Sequence, residues 1–127
     1  MRRHLTPETI RAPFGRYHHA VEVRGAERLL FLSGQLGIRP DGSVPEGAAE
    51  QTEVALANID ACLAAAGMDR GHLVRLTTFL VDAADRPAFM AVRDGWVPDP
   101  PPASTLVIVK ALAQPTFRVE VEAVAAA

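Results

Sequence analysis

The apolar run at residues 105–109 is the sequence feature that most constrains the fold. It reads Thr-Leu-Val-Ile-Val, and a strand without polar alternation is typical of a sheet that is covered on both faces. Two helices can cover one face, but a chain of 127 residues leaves no third layer for the other. The sequence therefore predicts an oligomer, in which a partner chain covers the second face of the sheet.

Four other segments have strand patterns. Residues 17–24 and 29–33 contain short apolar blocks joined by a tight Gly-Ala-Glu connection, which predicts a β-hairpin. Residues 72–81 are rich in β-branched side chains and too long for a turn. Residues 117–124 alternate between apolar and charged side chains, as expected of a strand with one buried face.

Two segments have helical periodicity. The first, residues 48–66, has an apolar stripe at Leu56, Ile59 and Leu63 and is followed by Gly67, a common residue just past a helix end. The second begins at Asp82 or Asp85, either of which can cap it, and runs to about residue 96. Its predicted apolar stripe is Phe89, Val92 and Trp96.

These elements predict a single α+β domain over residues 1–127. Their order is β-β-α-β-α-β-β, which fits a sheet with both helices packed on one face. Residues 1–16 are polar and interrupted by Pro7 and Pro13, so we expect them to form an N-terminal arm.

The charge balance and the single cysteine limit the classes of function. Thirteen basic and fifteen acidic residues give a formal charge of −2 without a basic stripe, which disfavours a nucleic-acid partner. Cys62 alone cannot form an internal disulfide. The N-terminus lacks the apolar core of a signal peptide, and no segment approaches the ~18 uninterrupted apolar residues of a membrane span. We therefore predict a cytoplasmic protein with no membrane association.

The histidines and the cysteine do not form a metal or nucleophile pattern. His18 and His19 are adjacent on a predicted strand, so their side chains point to opposite faces and cannot share one ion. Cys62 falls beside the apolar stripe of the first helix, which favours a buried structural thiol over a nucleophile. No glycine-rich phosphate-binding motif is present. The sequence therefore predicts neither a metal nor a cofactor.

Two polar pairs are each open to two interpretations. Glu120 and Glu122 share a face of the last strand at a separation of about 7 Å. They are either carboxylates for acid–base chemistry or part of a solvated face, and the solvated face is favoured. Tyr17 and His19 share a face of the first predicted strand, where they form either a polar notch or a solvent-exposed edge.

Several motifs resemble the reactive intermediate deaminase (RidA, YjgF-like) family. They follow the family's order over about residues 12–125, which is nearly the whole chain. The most specific are Ser33-Gly34-Gln35, the Pro101-Pro102-Ala103 turn and the Glu120-x-Glu122-Ala123 segment.

The resemblance implies a chorismate-mutase-like fold and a homotrimer whose sheets form a central barrel, with small-molecule pockets in the clefts between subunits. Active deaminases of the family hydrolyse reactive enamines and imines, such as 2-aminoacrylate, to 2-keto acids and ammonia without a metal or cofactor. By the same resemblance Tyr17 matches the pocket tyrosine, Ser33 the strand-end serine, and Glu120 the glutamate that holds or activates water. A ribonuclease activity is also associated with the family, and the lack of a basic groove disfavours it here.

The chain departs from the family pattern immediately before the apolar run. Deaminases read Pro-Ala-Arg-Ser/Thr, with the arginine binding the substrate carboxylate, whereas here the alanine is followed by Ser104. A hydroxyl cannot imitate the paired charge-assisted hydrogen bonds of a guanidinium, so we expect a loss of about two powers of ten or more on a carboxylated imine. Met90 replaces a pocket asparagine and makes the pocket more apolar. Whether Arg16, Arg93 or Arg118 replaces the missing arginine stays open.

Two functions are therefore predicted. The first is a trimer whose intersubunit pocket acts on a small reactive imine, enamine or related carbonyl compound that lacks an amino-acid-type carboxylate. In this hypothesis Glu120 positions water, and Tyr17 and His19 shape the pocket or transfer protons. The residues expected to contact the ligand are Ser33, Met90, Ser104 and Thr105. The alternative is a non-catalytic member that binds a metabolite or a partner protein.

Overall fold

The computed structural model describes all residues, 1–127, and contains six strands and two α-helices. In chain order these are β1 (Arg2–Leu5), β2 (Ala20–Val23), β3 (Leu29–Leu36), α1 (Ala48–Ala65), β4 (Leu73–Leu80), α2 (Arg86–Trp96), β5 (Ala103–Ile108) and β6 (Val119–Ala126). The larger sheet has the order β3-β6-β4-β5, with β4 and β5 parallel and the other pairs antiparallel. Helix α1 packs on β3, β6 and α2. The predicted α+β architecture with two helices is confirmed.

The N-terminal strands show that the predicted hairpin is wrong. β2 pairs with β1 and β3 pairs with β6, so the two predicted hairpin strands belong to different sheets. Gly25 does reverse the chain with φ at 61°, but this local turn cannot specify which strands pair. β1 lies within residues 1–16, for which the sequence predicts an N-terminal arm without a strand. Its Arg2 donates from Nη1 to the Ala126 carbonyl at 2.8 Å, which joins the small sheet to the end of the large one.

The helices follow their predicted positions, with one difference in the buried face of α2. The α1 stripe is buried as expected, and the helix ends just before Gly67, whose φ of 67° suits glycine at this position. In α2 the buried residues are Phe89, Arg93 and Trp96, whereas the predicted Val92 is only half-buried. A charged side chain therefore occupies a position where periodicity alone favours an apolar one. Neither helix has the length and apolar character needed to cross a membrane.

The end of α2 is held to α1 through a shared carboxylate. Both oxygens of Asp60 accept from Arg70, at 2.8 and 2.9 Å, and Oδ2 also accepts from the Trp96 indole at 3.1 Å. The Arg70 guanidinium lies 5.0 Å from the centre of the Trp96 ring. Its hydrogen bonds to Asp60 raise the pKa of Arg70 above its usual value. These contacts fix the orientation of the helix that carries much of the site described below.

The face of the large sheet that points away from the helices is uncovered within one chain. β6 alternates as predicted, with its apolar residues buried against the helices and its glutamates on the other face. On that face Phe31 is 72% exposed and Val107 is 40% exposed. The single chain thus leaves this face of β5 without cover, as the sequence predicts for a chain with no third layer. Cover by a partner chain stays a prediction.

Gly37 allows the segment after β3 to pass directly against α1. A Cβ at this position would lie 2.7 Å from Cα of Gln51, which is backbone and cannot move aside alone. Gln51 is itself fixed, because its Nε2 donates to the carbonyls of Pro45 and Thr116 at 2.8 and 2.9 Å. Gly37→Ala is therefore expected to lower the free energy of unfolding by about 3 kcal/mol, at the upper end of the usual cost of overpacking.

The control for this prediction is Gly95→Ala in α2, where an added Cβ meets nothing within 4 Å. Alanine suits a helix better than glycine, so Gly95→Ala is expected to leave stability unchanged or raise it by up to about 1 kcal/mol. Urea denaturation followed by far-UV circular dichroism measures both variants. Equal unfolding midpoints for the two would contradict the close packing at Gly37.

Candidate active site

A cavity of about 280 Å³ lies between α2 and β5, under the loop that precedes β2. Helix α2 forms one wall, and β4 and β5 form the other. The ten residues that line it are Phe14, Gly15, Tyr17, Thr78, Arg86, Phe89, Met90, Arg93, Ser104 and Leu106. Its lining therefore combines apolar side chains with hydroxyls and two guanidinium groups.

The loop that carries Tyr17 is held in place by hydrogen bonds from both walls. The His18 amide donates to the Pro102 carbonyl at 3.1 Å, and its ring Nδ1 lies 2.7 Å from the Pro101 carbonyl. From the helix, Arg93 donates through Nη1 to the Arg16 carbonyl at 2.8 Å. Because Arg16 and His18 are both held, Tyr17 between them is fixed over the cavity.

Three of the predicted site residues meet in this cavity. Tyr17, Met90 and Ser104 come from the loop, from α2 and from β5 respectively. His19 lies beside them without lining the cavity, with its ring 5.9 Å from that of Tyr17 in an edge-on arrangement. Its Nε2 is 2.6 Å from the Arg11 carbonyl. The strand predicted for residues 17–19 does not form, because β2 begins only at residue 20 and His18 makes just one isolated bridge.

The other predicted residues lie elsewhere in the single chain. Ser33 lines a second cavity of about 310 Å³ on the uncovered face of the sheet, together with Glu122. Thr105 points to that same face, where its hydroxyl accepts from Arg75 at 2.8 Å. Glu120 lies against Gly34, and a Cβ at residue 34 would overlap its carboxylate. The glycine of the Ser-Gly-Gln motif is therefore what allows this side chain to lie flat on β3.

Sequence reasoning missed the face that α2 presents to the cavity. Arg86, Phe89, Met90 and Arg93 are spaced at i, i+3, i+4 and i+7, so they share one side of the helix. The sequence shows this spacing, but an apolar stripe does not include it, because two of the four residues are arginines.

Arg93 is an ionisable group of the site whose pKa is shifted by burial. Its side chain is only 3% exposed, and burial lowers its pKa despite the opposing effect of Asp94, whose carboxylate accepts from Nη1 at 3.1 Å. No group of three or more His, Cys, Asp and Glu side chains is arranged to bind a metal ion. The polar side chains that line the cavity are the hydroxyls of Tyr17, Thr78 and Ser104 and the guanidinium groups of Arg86 and Arg93.

Comparison with known proteins agrees with the architecture. The model of the family described as Endoribonuclease L-PSP matches residues 9–127. A crystal structure of the Rid family protein YyfB from Yersinia pestis, described as of unknown function, superimposes with a TM-score of 0.82 at 31% identity. That match covers 99% of this chain and 98% of the other. The chain belongs to the Rid (YjgF-like) family.

Curated relatives of this Rid protein include enzymes. It is 36% identical over 127 residues to 2-iminobutanoate/2-iminopropanoate deaminase from Capra hircus, covering 98% of this chain and 90% of the relative. It is also 42% identical over 83 residues to a RutC family protein from Aquifex aeolicus, covering 65% of this chain and 63% of that relative. The resemblance stated from the sequence motifs is thus confirmed at the level of the family.

Proposed function

We propose that this Rid protein is a hydrolase that acts on a small reactive imine, enamine or related carbonyl compound in clefts between the subunits of a homotrimer. The observation that carries the proposal is the distribution of the predicted site over opposite edges of one sheet. Tyr17 and Ser104 lie at the β5 edge. Ser33 lies on β3 at the opposite edge, and Glu120 lies on the neighbouring strand β6, against Gly34 of β3. A neighbouring copy whose β3 edge meets this β5 edge would unite the two halves.

The uncovered sheet face supports the same assembly. Phe31 and Val107 are large apolar side chains that a single chain leaves in water, and burying them contributes about 25 cal/mol for each Å² removed from solvent. Three copies that pack these faces around a common axis would cover them. The predicted cytoplasmic location is part of this proposal and stays a prediction.

The proposed reaction needs one water molecule and no cofactor. Glu120 accepts a proton from water as the water oxygen attacks the imine carbon, and the electron pair of the C=N bond moves to nitrogen, which takes this proton back from Glu120. Glu120 then accepts the hydroxyl proton of the resulting carbinolamine and passes it to the nitrogen, so that the C–N bond breaks, the carbonyl product forms and ammonia leaves. General base catalysis of this kind typically contributes about 10²–10⁴-fold. An enamine enters the same path after it takes up a proton on carbon to become the imine.

Ser104 determines which imines are poor substrates in this proposal. It stands on β5 at the cavity wall, where deaminases of the family have an arginine for the carboxylate attached to the imine carbon. A serine hydroxyl provides one neutral donor in place of a charged fork. We therefore expect ordinary 2-imino acids to be handled slowly and compounds without a carboxylate at that carbon to be preferred.

Imines generated in situ test this function. An amine oxidase supplies carboxylate-free imines, 2-aminoacrylate supplies the carboxylated case, and semicarbazide captures whatever is not hydrolysed. We expect the protein to reduce capture of a carboxylate-free imine by at least about tenfold, because general base catalysis of about 10²–10⁴-fold lets hydrolysis compete with capture. On 2-aminoacrylate it should be about 100-fold slower than an arginine-bearing relative, as one lost charged hydrogen bond of about 3 kcal/mol implies.

Light scattering provides the control for assembly, with the mass of three chains as the expected result. Turnover of 2-aminoacrylate as fast as that of the arginine-bearing relative would contradict the role given to Ser104. Absence of hydrolysis with every imine, combined with tight binding of a small molecule, would favour the alternative of a non-catalytic binding protein. A monomer would contradict the intersubunit cleft.

A further inference from the structure

Helix α2 presents two arginines to the cavity, one at each end of the face that lines it. Arg86 is exposed at the first residue of the helix, and Arg93 is buried two turns later. Met90 and Phe89 lie between them on the same face. The helix wall therefore combines an apolar centre with positive charge at both ends.

The donors of the buried guanidinium are not all used by the protein. Its Nη1 donates to the Arg16 carbonyl and to Asp94. Its Nη2 is also buried and has no hydrogen-bond acceptor from the chain. A buried donor without a partner lowers stability, and more so when the group is charged. An acceptor supplied by a ligand would recover this free energy.

The charge around the cavity favours an anion as that ligand. None of the ten lining residues is acidic, and Ser104 and Thr78 add hydroxyl donors. The one carboxylate that neutralises Arg93 belongs to Asp94, which is 42% exposed and lies outside the lining. We propose that Arg93 and Arg86 form an anion-binding site on the α2 wall, which selects ligands with an apolar body and a carboxylate-type anionic group.

This inference rests on the proposed function and names the charge of its substrate. The proposed anion site also lies on a different wall of the cavity from the position where the deaminases have their arginine. Ser104 belongs to β5, whereas Arg93 and Arg86 belong to α2, across the cavity. A ligand held by the helix therefore carries its negative charge away from the imine carbon. Its class is an imine or enamine with a remote anionic group rather than a 2-imino acid.

Butanoate and butanamide are a matched pair of probes, because they share size and an apolar tail and differ in charge. Calorimetric titration at pH 7 should give a dissociation constant at least tenfold lower for butanoate. Arg93→Met keeps most of the volume and removes the charge, so it should bring the ratio of the two constants close to one. Arg93→Lys should retain part of the preference, and Arg86→Gln should reduce it severalfold.

Arg39→Gln is the control, since it removes one positive charge from a residue outside the cavity and should leave the ratio unchanged. A wild-type ratio near one would overturn the inference, as would an unchanged ratio in both Arg93→Lys and Arg86→Gln. If Arg93→Met does not fold, the ratios of the two dissociation constants in Arg93→Lys and Arg86→Gln test the inference. Preference for butanoate without hydrolysis of any imine would refute only the proposed function. Hydrolysis without that preference would refute only the anion site.

Discussion

Glu120→Gln is expected to lower kcat/KM for imine hydrolysis by about 10²–10⁴-fold, the usual contribution of a general base. Glutamine keeps the shape of the side chain and its ability to hold water, but it cannot accept the proton that water releases on attack. The carboxylate is half-buried on β6 and lies against Gly34, so the substitution removes charge without opening a cavity. Initial rates with semicarbazide competition measure the loss.

Glu53→Gln is the matched control for Glu120→Gln. Glu53 is exposed on α1 and lines neither of the two cavities described above, so its replacement removes the same charge away from the proposed site. The substitution should change kcat/KM by no more than about twofold, since an exposed carboxylate away from the reacting atoms contributes little. Both variants should keep the wild-type mass and melting temperature. An equal loss of activity in the two variants would contradict the water-activating role of Glu120.

The elements that the sequence predicted well are those whose pattern is local. The α1 stripe and the alternation of β6 each follow from side-chain spacing within one segment, and both match the structure. The hairpin failed because strand pairing is not local. Gly25 forms a turn, yet β2 pairs with β1, whose four residues lie in a proline-interrupted segment with no strand signal of its own.

The candidate site was predicted only in part, because its residues come together through non-local packing. Motif resemblance identified Tyr17, Met90 and Ser104, which three separate segments bring to one cavity. The sequence does not distinguish Arg93 from Arg16 and Arg118 as a replacement for the missing arginine, because a charged residue on an amphipathic helix normally faces solvent. Only the packing of the loop at Arg16 on α2 shows that this side chain is buried. The sequence contains the residues of the site but not the burial that gives them their properties.

Ser104→Arg is expected to raise kcat/KM for 2-aminoacrylate by about 100-fold, because a guanidinium at this position gives the carboxylate two charge-assisted hydrogen bonds of about 1.5–3 kcal/mol each. Part of that free energy is offset by ordering the longer side chain, which costs up to about 2 kcal/mol. Keto-acid release from 2-aminoacrylate generated in situ measures the gain. Ala57→Arg adds the same charge at an exposed position of α1 and should leave the rate unchanged. A folded, trimeric Ser104→Arg protein that is no faster than wild type would show that the missing arginine does not limit activity on 2-imino acids, and the carboxylate-free preference would then need another cause.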